Sequence, residues 1–292
     1  MLSAAEVRST RRRRRSPYSD RQHYDEYIMQ RIECYKNSIG RDALLNLGDE
    51  AAAELQAAAE GQFVLTEVLM LETVDRLIQK RLALRPYGRW RRQFSKLREA
   101  QRTPTHWGLE PNCPLAGLLP RIEPEDAALV IGGHAEPTAY LLSAHDAAVT
   151  FIASDLGCVE RVESRMAAEA LGSLFECYVA QLGPGLPKCL DCVDQLDVVV
   201  LDPSALAELG AADRLQFVQD LQRRSRPGSV HLLLAGCRAL APESLLGHYT
   251  GWGIEEQARP KRRAAAGRPS GGVMLSCPQC PPDTPPSGDT ES

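Results

Sequence analysis

The chain has 292 residues, a formal net charge of −4, 43% hydrophobic residues and 25% charged ones. That length can bury one large core or two modest ones, and the composition is that of an ordinary globular protein. No apolar run approaches the roughly 18 residues of a membrane span, and the charge balance excludes a uniformly basic nucleic-acid binder.

The N-terminus reads "MLSAAEVRSTRRRRRSPYSD". Its five arginines, Arg11 to Arg15, follow weakly apolar residues, the reverse of the order in a secretory signal. Residues 1–19 are expected to form a disordered basic tail. Nine cysteines are scattered without a dense framework, which points to reduced thiols and a cytoplasmic location. The pairs Cys189/Cys192 and Cys277/Cys280 are too far apart in sequence to suggest a shared zinc site. No metal site is expected.

Residues 20–103 read as an all-α region. Asp20 is placed as an N-cap, and Tyr24, Tyr27, Ile28, Ile32 and Tyr35 recur at helical spacing. A second helix is expected from about Asp49, with Gly61 as its stop. A third carries a broad apolar stripe: Leu65, Val68, Leu69, Leu71, Val74, Leu77 and Ile78. The stripe calls for a buried partner, either an intramolecular core or the second copy in a homodimer. Pro86 ends this helix, and a basic helix then runs to about Arg102. Residues 80–102 carry nine basic residues and one acidic, whereas residues 105–258 carry 21 acidic and nine basic. The basic segment is read as a solvated helix face, so a small-molecule partner is expected over RNA.

Five prolines between 104 and 124 mark a linker, or a loop wrapped over the next domain. From 125 to 278 the pattern alternates. Strands read at "AALVIG", "AVTFIAS", "FECYVAQL", "LDVVVLD" and "SVHLLLA", with helices near 137–146, 159–171 and 205–225. Strands alternating with helices imply right-handed crossovers and a mostly parallel, doubly wound α/β sheet. "GWGIEEQARP" and "GGVMLSC" are expected to close it as an antiparallel hairpin. Residues 279–292 are Pro-rich and expected to be a disordered tail.

In an open parallel sheet, ligands lie beyond the carboxyl ends of the strands. There the sequence places Gly132 and Gly133 after the first strand and Asp155 after the second. Gln181 follows the third strand, and Asp202 the fourth. The glycines allow close backbone approach, Asp155 can accept from ribose hydroxyls, and the Gln181 amide can meet an adenine edge. A dinucleotide site would put a pyrophosphate over the first turn, but its third glycine is missing and Glu136 stands nearby. A carboxylate about 4 Å from a phosphate costs about 4 kcal/mol per charge pair at an effective dielectric near 20. S-adenosylmethionine has no phosphate and carries a sulfonium and an ammonium, which the same carboxylate attracts.

In the order of "ALVIGGHAEPTAYLL", "VTFIASD", "YVAQL", "LDVVVLDP" and "LQRRSRPGSVHLLLAG", residues 120–278 resemble a class I S-adenosylmethionine-dependent methyltransferase. The resemblance implies a Rossmann-like fold with S-adenosylmethionine as cofactor. It places Gly132 and Gly133 at the methionine part, Asp155 at the ribose and Gln181 at the adenine, and Glu136 joins this cofactor set. His134 or Asp202 would take the acceptor's proton if it arrives protonated. His134 and Glu136 occupy the third and fifth places of the family's G-x-G-x-G, and Val130 stands where an acidic residue is usual. These departures keep open a non-catalytic methyltransferase-like binding protein, and because the sulfonium can be attacked at either end, an aminocarboxypropyl transferase using the same cofactor is a further alternative. No phosphate loop, no G-x-S-x-G elbow and no H-x-x-x-H pair occurs in the chain.

Overall fold

The computed structural model describes residues 19–58, 67–171, 174–191, 193, 195–235, 240–258 and 271–278. The basic tail, Gly61, Leu65, the 259–268 loop, Cys192, Cys280 and the 279–292 tail lie outside these. The chain divides into two compact units, Pro17–Leu97 and one that contains Arg98–Ser292.

The first unit is helical. Helix α1 spans Asp20–Ser38, α2 Arg41–Ala58, α3 Glu67–Arg81 and α4 begins at Tyr87 and runs to Gln101. The cap of α1 is Ser19, one residue before the expected Asp20. Its hydroxyl accepts from the Gln22 N–H while the Gln22 side chain accepts from the Ser19 N–H, a reciprocal capping box. Asp20 sits in the first turn and pairs with Arg91 at 2.7 Å. Helix α2 starts at Arg41, eight residues before the expected Asp49. Leu47 and Ala51, both fully buried, hold the helix across Gly48. The α3 stripe divides. Val74, Leu77 and Ile78 are buried with Ile28, Ile32 and Leu47, whereas Val68 and Leu71 are 63% and 53% exposed.

The second unit is built on a seven-stranded sheet of order β3-β2-β1-β4-β5-β7-β6. The strands are β1 Ala127–Ile131, β2 Ala148–Ala153, β3 Phe175–Val179, β4 Leu196–Leu201, β5 Ser225–Ala235, β6 Gly253–Ala258 and β7 Gly271–Ser276. The first five run parallel, and β7 joins β5 and β6 antiparallel. The expected doubly wound sheet with its terminal hairpin is therefore present. One detail differs. The fifth strand, read from Ser229, begins at Ser225, so Pro227 and Gly228 fall inside β5, opposite a register shift at Leu196/Val198.

Both faces of the sheet's central strands are buried, so β1, β2 and β4 read as near-continuous apolar runs, whereas the edge strands β3 and β6 are partly exposed. Side chains alternate: Ala128, Val130, Val198, Val200, Leu232 and Leu234 enter one core, and Leu129, Ile131, Val199, Leu201 and Leu233 the other. Helices α6 (Glu136–Ala144) and α7 (Leu156–Ala168) cover the first face, and α8 (Ala211–Arg223) the second. The Pro-rich segment wraps over the first face. It contains the short helix α5 (Pro114–Leu118), and its Trp107, Leu109, Cys113, Leu115 and Leu118 are buried in that core. The short helix α9 (Glu243–Leu246) and Tyr249 join the second core.

Candidate functional site

The pairings Ile131↔Ile152, Ile131↔Leu201 and Leu201↔Leu233 align the carboxyl ends of β1, β2, β4 and β5. Over this edge lies a cavity of about 880 Å³, bordered by all seven residues picked out from the sequence. That volume is in the upper part of the range for small-molecule sites.

The turn after β1 is shaped from within. Gly132 adopts φ +98°, ψ 149°, a conformation reserved for glycine. A Cβ there would stand 2.6 Å from Asp202 Cβ. Gly133 differs: its φ is not in the left-handed region, and a Cβ would meet Cys158 Sγ at an ordinary 3.5 Å. The turn also uses its own donors. The Gly132 N–H bonds Ile152 O at 2.8 Å, the His134 N–H bonds Asp202 Oδ2 at 3.3 Å and the Ala135 N–H bonds Gly132 O at 3.1 Å. The Glu136 N–H bonds Gly133 O, and Pro137 has no N–H. Four of the five N–H groups from Gly132 to Glu136 are thus already engaged, two inside the turn and two with Ile152 and Asp202. A phosphate held at a helix start needs such groups.

Asp202, 1% exposed, is the hub of the site. It caps the turn after β4 by accepting from the Ser204 N–H at 3.0 Å and the Ser204 hydroxyl at 2.6 Å. Its other oxygen accepts from the backbone and, at 2.8 Å, from Nδ1 of His134. With the Nδ1 proton donated to the carboxylate, Nε2 is left as the basic nitrogen. His134 is half-exposed at the cavity wall. The two residues considered separately in the sequence form one dyad.

Asp155 is exposed and caps α7, accepting from Gly157 N–H at 3.2 Å and Cys158 N–H at 3.1 Å. A carboxylate offers about four acceptor positions, so about two remain for a ligand. Gln181 is exposed at the same rim. Glu136 borders the cavity but is engaged. It accepts from the Tyr140 hydroxyl at 2.7 Å and from Arg161 Nε at 3.4 Å. Burial, and then this bond, push the Tyr140 hydroxyl far above its ordinary range. Arg161 offsets part of the Glu136 field, so the spent turn donors weigh more against a phosphate than Glu136 does.

The sequence reading missed Tyr140, Arg161, Arg165 and Ser204 as lining residues. Arg161 and Arg165 lie one turn apart on α7 and border the cavity, and Arg165 packs over the rings of Trp107 and Tyr140 at 5.5 and 5.6 Å. Their i, i+4 spacing was the available signal. Trp107 of the Pro-rich segment both packs in the core and lines the cavity. It is buried, and its indole N–H donates to Gln101 O at 2.7 Å. Tyr249 and Trp252 lie against His231 of β5, with ring centroids 5.5 and 4.4 Å away.

The sheet order and its terminal hairpin make a Rossmann-like fold, similar to that of class I S-adenosylmethionine-dependent methyltransferases. No protein-family model matches the chain, and no curated protein matches it. Among solved structures it is similar to the glycopeptide N-methyltransferase MtfA complexed with S-adenosyl-L-methionine, at 15% identity over 53% of this chain and 82% of that one, TM-score 0.41. It is similar to the N-methyltransferase NodS of Bradyrhizobium japonicum at 12% identity over 65% and 96%, TM-score 0.44. An rRNA methylase from Streptococcus thermophilus follows at 14% identity over 56% and 93%, TM-score 0.41. These are likenesses of fold alone, and no residue role passes from them.

Proposed function

We propose that the chain binds S-adenosylmethionine at the sheet edge and transfers its methyl group to a small-molecule acceptor. One observation carries this reading: the turn donors a phosphate would need are spent, while the ribose-facing position holds an exposed carboxylate with acceptor capacity to spare. Asp155 would hold the ribose hydroxyls, Gln181 the adenine edge, and Gly133 would admit the methionine part. Glu136 would position Arg161 and Tyr140 around it.

The cofactor supplies a methyl on a sulfonium, whose S–C bond breaks as the acceptor's lone pair forms the new bond, leaving S-adenosylhomocysteine. What remains for the chain is to align the acceptor, keep water out and take a proton. His134 Nε2 would accept the acceptor's proton. Asp202 fixes the ring through Nδ1 and stabilises the imidazolium that results.

Calorimetric titration with S-adenosylhomocysteine, wild type beside Asp155→Asn, tests the reading. Asparagine caps a helix as well as aspartate, so folding should be unchanged while affinity falls at least about tenfold, the worth of one charge-assisted hydrogen bond. Tight binding of NAD in place of S-adenosylhomocysteine would sink it. Equal affinity in the two proteins would remove Asp155 from the site.

A further inference from the structure

Of the nine basic residues between 80 and 102, several are tied to neighbours in the structure. Arg81 pairs with Glu50, Arg85 with the Gln93 amide and Arg91 with Asp20. Arg98 and Arg102 both pair with Asp146. Arg89, Arg92 and Lys96 are exposed and have no carboxylate partner among the described residues. They recur at i, i+3 and i+7, which places them on one face of α4 over about 10 Å of helix.

The opposite face of α4 carries Trp90 and Phe94, both 8% exposed and stacked on each other at 4.5 Å, with Tyr24 and His23 of α1 against them. That burial orients the three cations to solvent. Gly88 and Ser95 flank them, and a Cβ added at Gly88 meets nothing within 4 Å. The exposed side chains of Gln93 and Glu99 also border the row, Glu99 being the one acidic residue of the helix. Residues 17–97 carry equal numbers of acidic and basic side chains, so the row is a local concentration of charge and not a reflection of the unit's net charge.

We propose that this face of α4 is a docking surface for the phosphodiester backbone of a nucleic acid. Three aligned, unpaired cations spaced along a helix match successive phosphates, which is how such proteins gain sequence-independent affinity. A membrane surface fits less well. A helix that lies on a bilayer needs a stripe of exposed apolar residues beside its cations, whereas α4 buries Trp90 and Phe94 and exposes a single large apolar side chain, Leu97. The surface goes beyond the cofactor reading and does not rest on it. It also revises the expectation that the basic segment is only a solvated face.

The test is fluorescence anisotropy of a labelled oligouridine with the full chain between about 50 and 200 mM salt. Single strands lose about 0.7 in log–log salt slope per neutralised phosphate, so three contacts give a slope of about −2 from this face. The triple variant Arg89→Gln/Arg92→Gln/Lys96→Gln should lose that slope and bind at least about tenfold more weakly at the lower salt. Single Arg89→Gln and Lys96→Gln variants, each losing about a third of the slope, keep the proposal testable if the triple variant folds poorly. Substituting Arg11 to Arg15 by glutamine separates the tail's contribution. Three results overturn the proposal: an unchanged slope in the triple variant, binding lost only with the tail arginines, or triple-sensitive binding to phosphatidylserine vesicles without binding to oligouridine. Retained binding of duplex DNA with no RNA preference would support the surface and assign its source.

Discussion

Gly132→Ala should lower the thermal midpoint by roughly 6–12 °C, while Gly133→Ala, one residue on, should leave it almost unchanged. At Gly132 two costs coincide. A side chain at φ +98° is strained by about 1–3 kcal/mol, and its Cβ would press on the Asp202 side chain from 2.6 Å, an overpacking worth about 1–3 kcal/mol more. Asp202 has no room to yield, since it is buried and holds His134 and Ser204 at once. A loss of about 3 kcal/mol in a unit of this size gives the stated shift. At Gly133 neither cost applies, because an added Cβ meets only the Cys158 sulfur at van der Waals distance. The same scans with saturating S-adenosylhomocysteine check the functional half. Gly133→Leu, which puts bulk at the exposed cavity wall, should lose the ligand-induced rise in midpoint while its unliganded midpoint stays near wild type. Equal destabilisation by the two alanines would mean that the turn is not built in this way.

The second large effect is a pH dependence of stability set by His231. This histidine is fully buried in β5, with Nε2 2.7 Å from Ser225 Oγ and Nδ1 3.0 Å from the Tyr249 hydroxyl. Ser225 gives its own proton to Leu221 O, so Nε2–H donates to Ser225 and Nδ1 accepts from Tyr249. Both ring positions are therefore satisfied in the neutral form. Burial pushes the imidazole down to about 3 and the Tyr249 hydroxyl far up. The unfolded chain takes up this proton near pH 6.5, the folded chain only near 3. The contribution is therefore complete above about pH 6.5 and is lost progressively as the pH falls towards 3, by at most about 1.4 kcal/mol per pH unit. Urea unfolding at pH 7, 6 and 5 should show wild type losing about 2 kcal/mol more between 7 and 5 than His231→Gln does. The variant should be the less stable of the two at pH 7, because glutamine reproduces only part of the network. Parallel profiles would show that His231 titrates normally and is not buried in the folded chain.

The sheet was legible because a strand buried on both faces leaves an apolar run bounded by turn residues, as in β1, β2 and β4. Reading the residue just past each strand end then led to Gly132, Asp155, Gln181 and Asp202, which the sheet brings to one cavity. Helix boundaries were less legible where a glycine misled. Gly48 followed by Asp49 looks like a cap, but burial of Leu47 and Ala51 carries α2 through it. Val68 and Leu71 of the α3 stripe are exposed while Val74, Leu77 and Ile78 pack with α1 and α2, and periodicity alone does not say where a neighbour ends. The pairs that organise the site join residues far apart in the chain. His134 meets Asp202 across 68 positions and Glu136 meets Arg161 across 25, so each partner is visible in sequence but not the contact. His231 gave no sign at all. It sits among leucines, and its polar partners lie outside that run, one of them 18 residues later.

Whether the sheet edge takes S-adenosylmethionine is tested most directly by a crystal structure of the protein with S-adenosylhomocysteine. The expected result is the ligand in the cavity beyond β1, β2 and β4, with its ribose hydroxyls within hydrogen-bond distance of Asp155 and its adenine at Gln181. Ligand bound at another place, or a cavity that stays empty at millimolar ligand while the turn keeps its geometry, would contradict it.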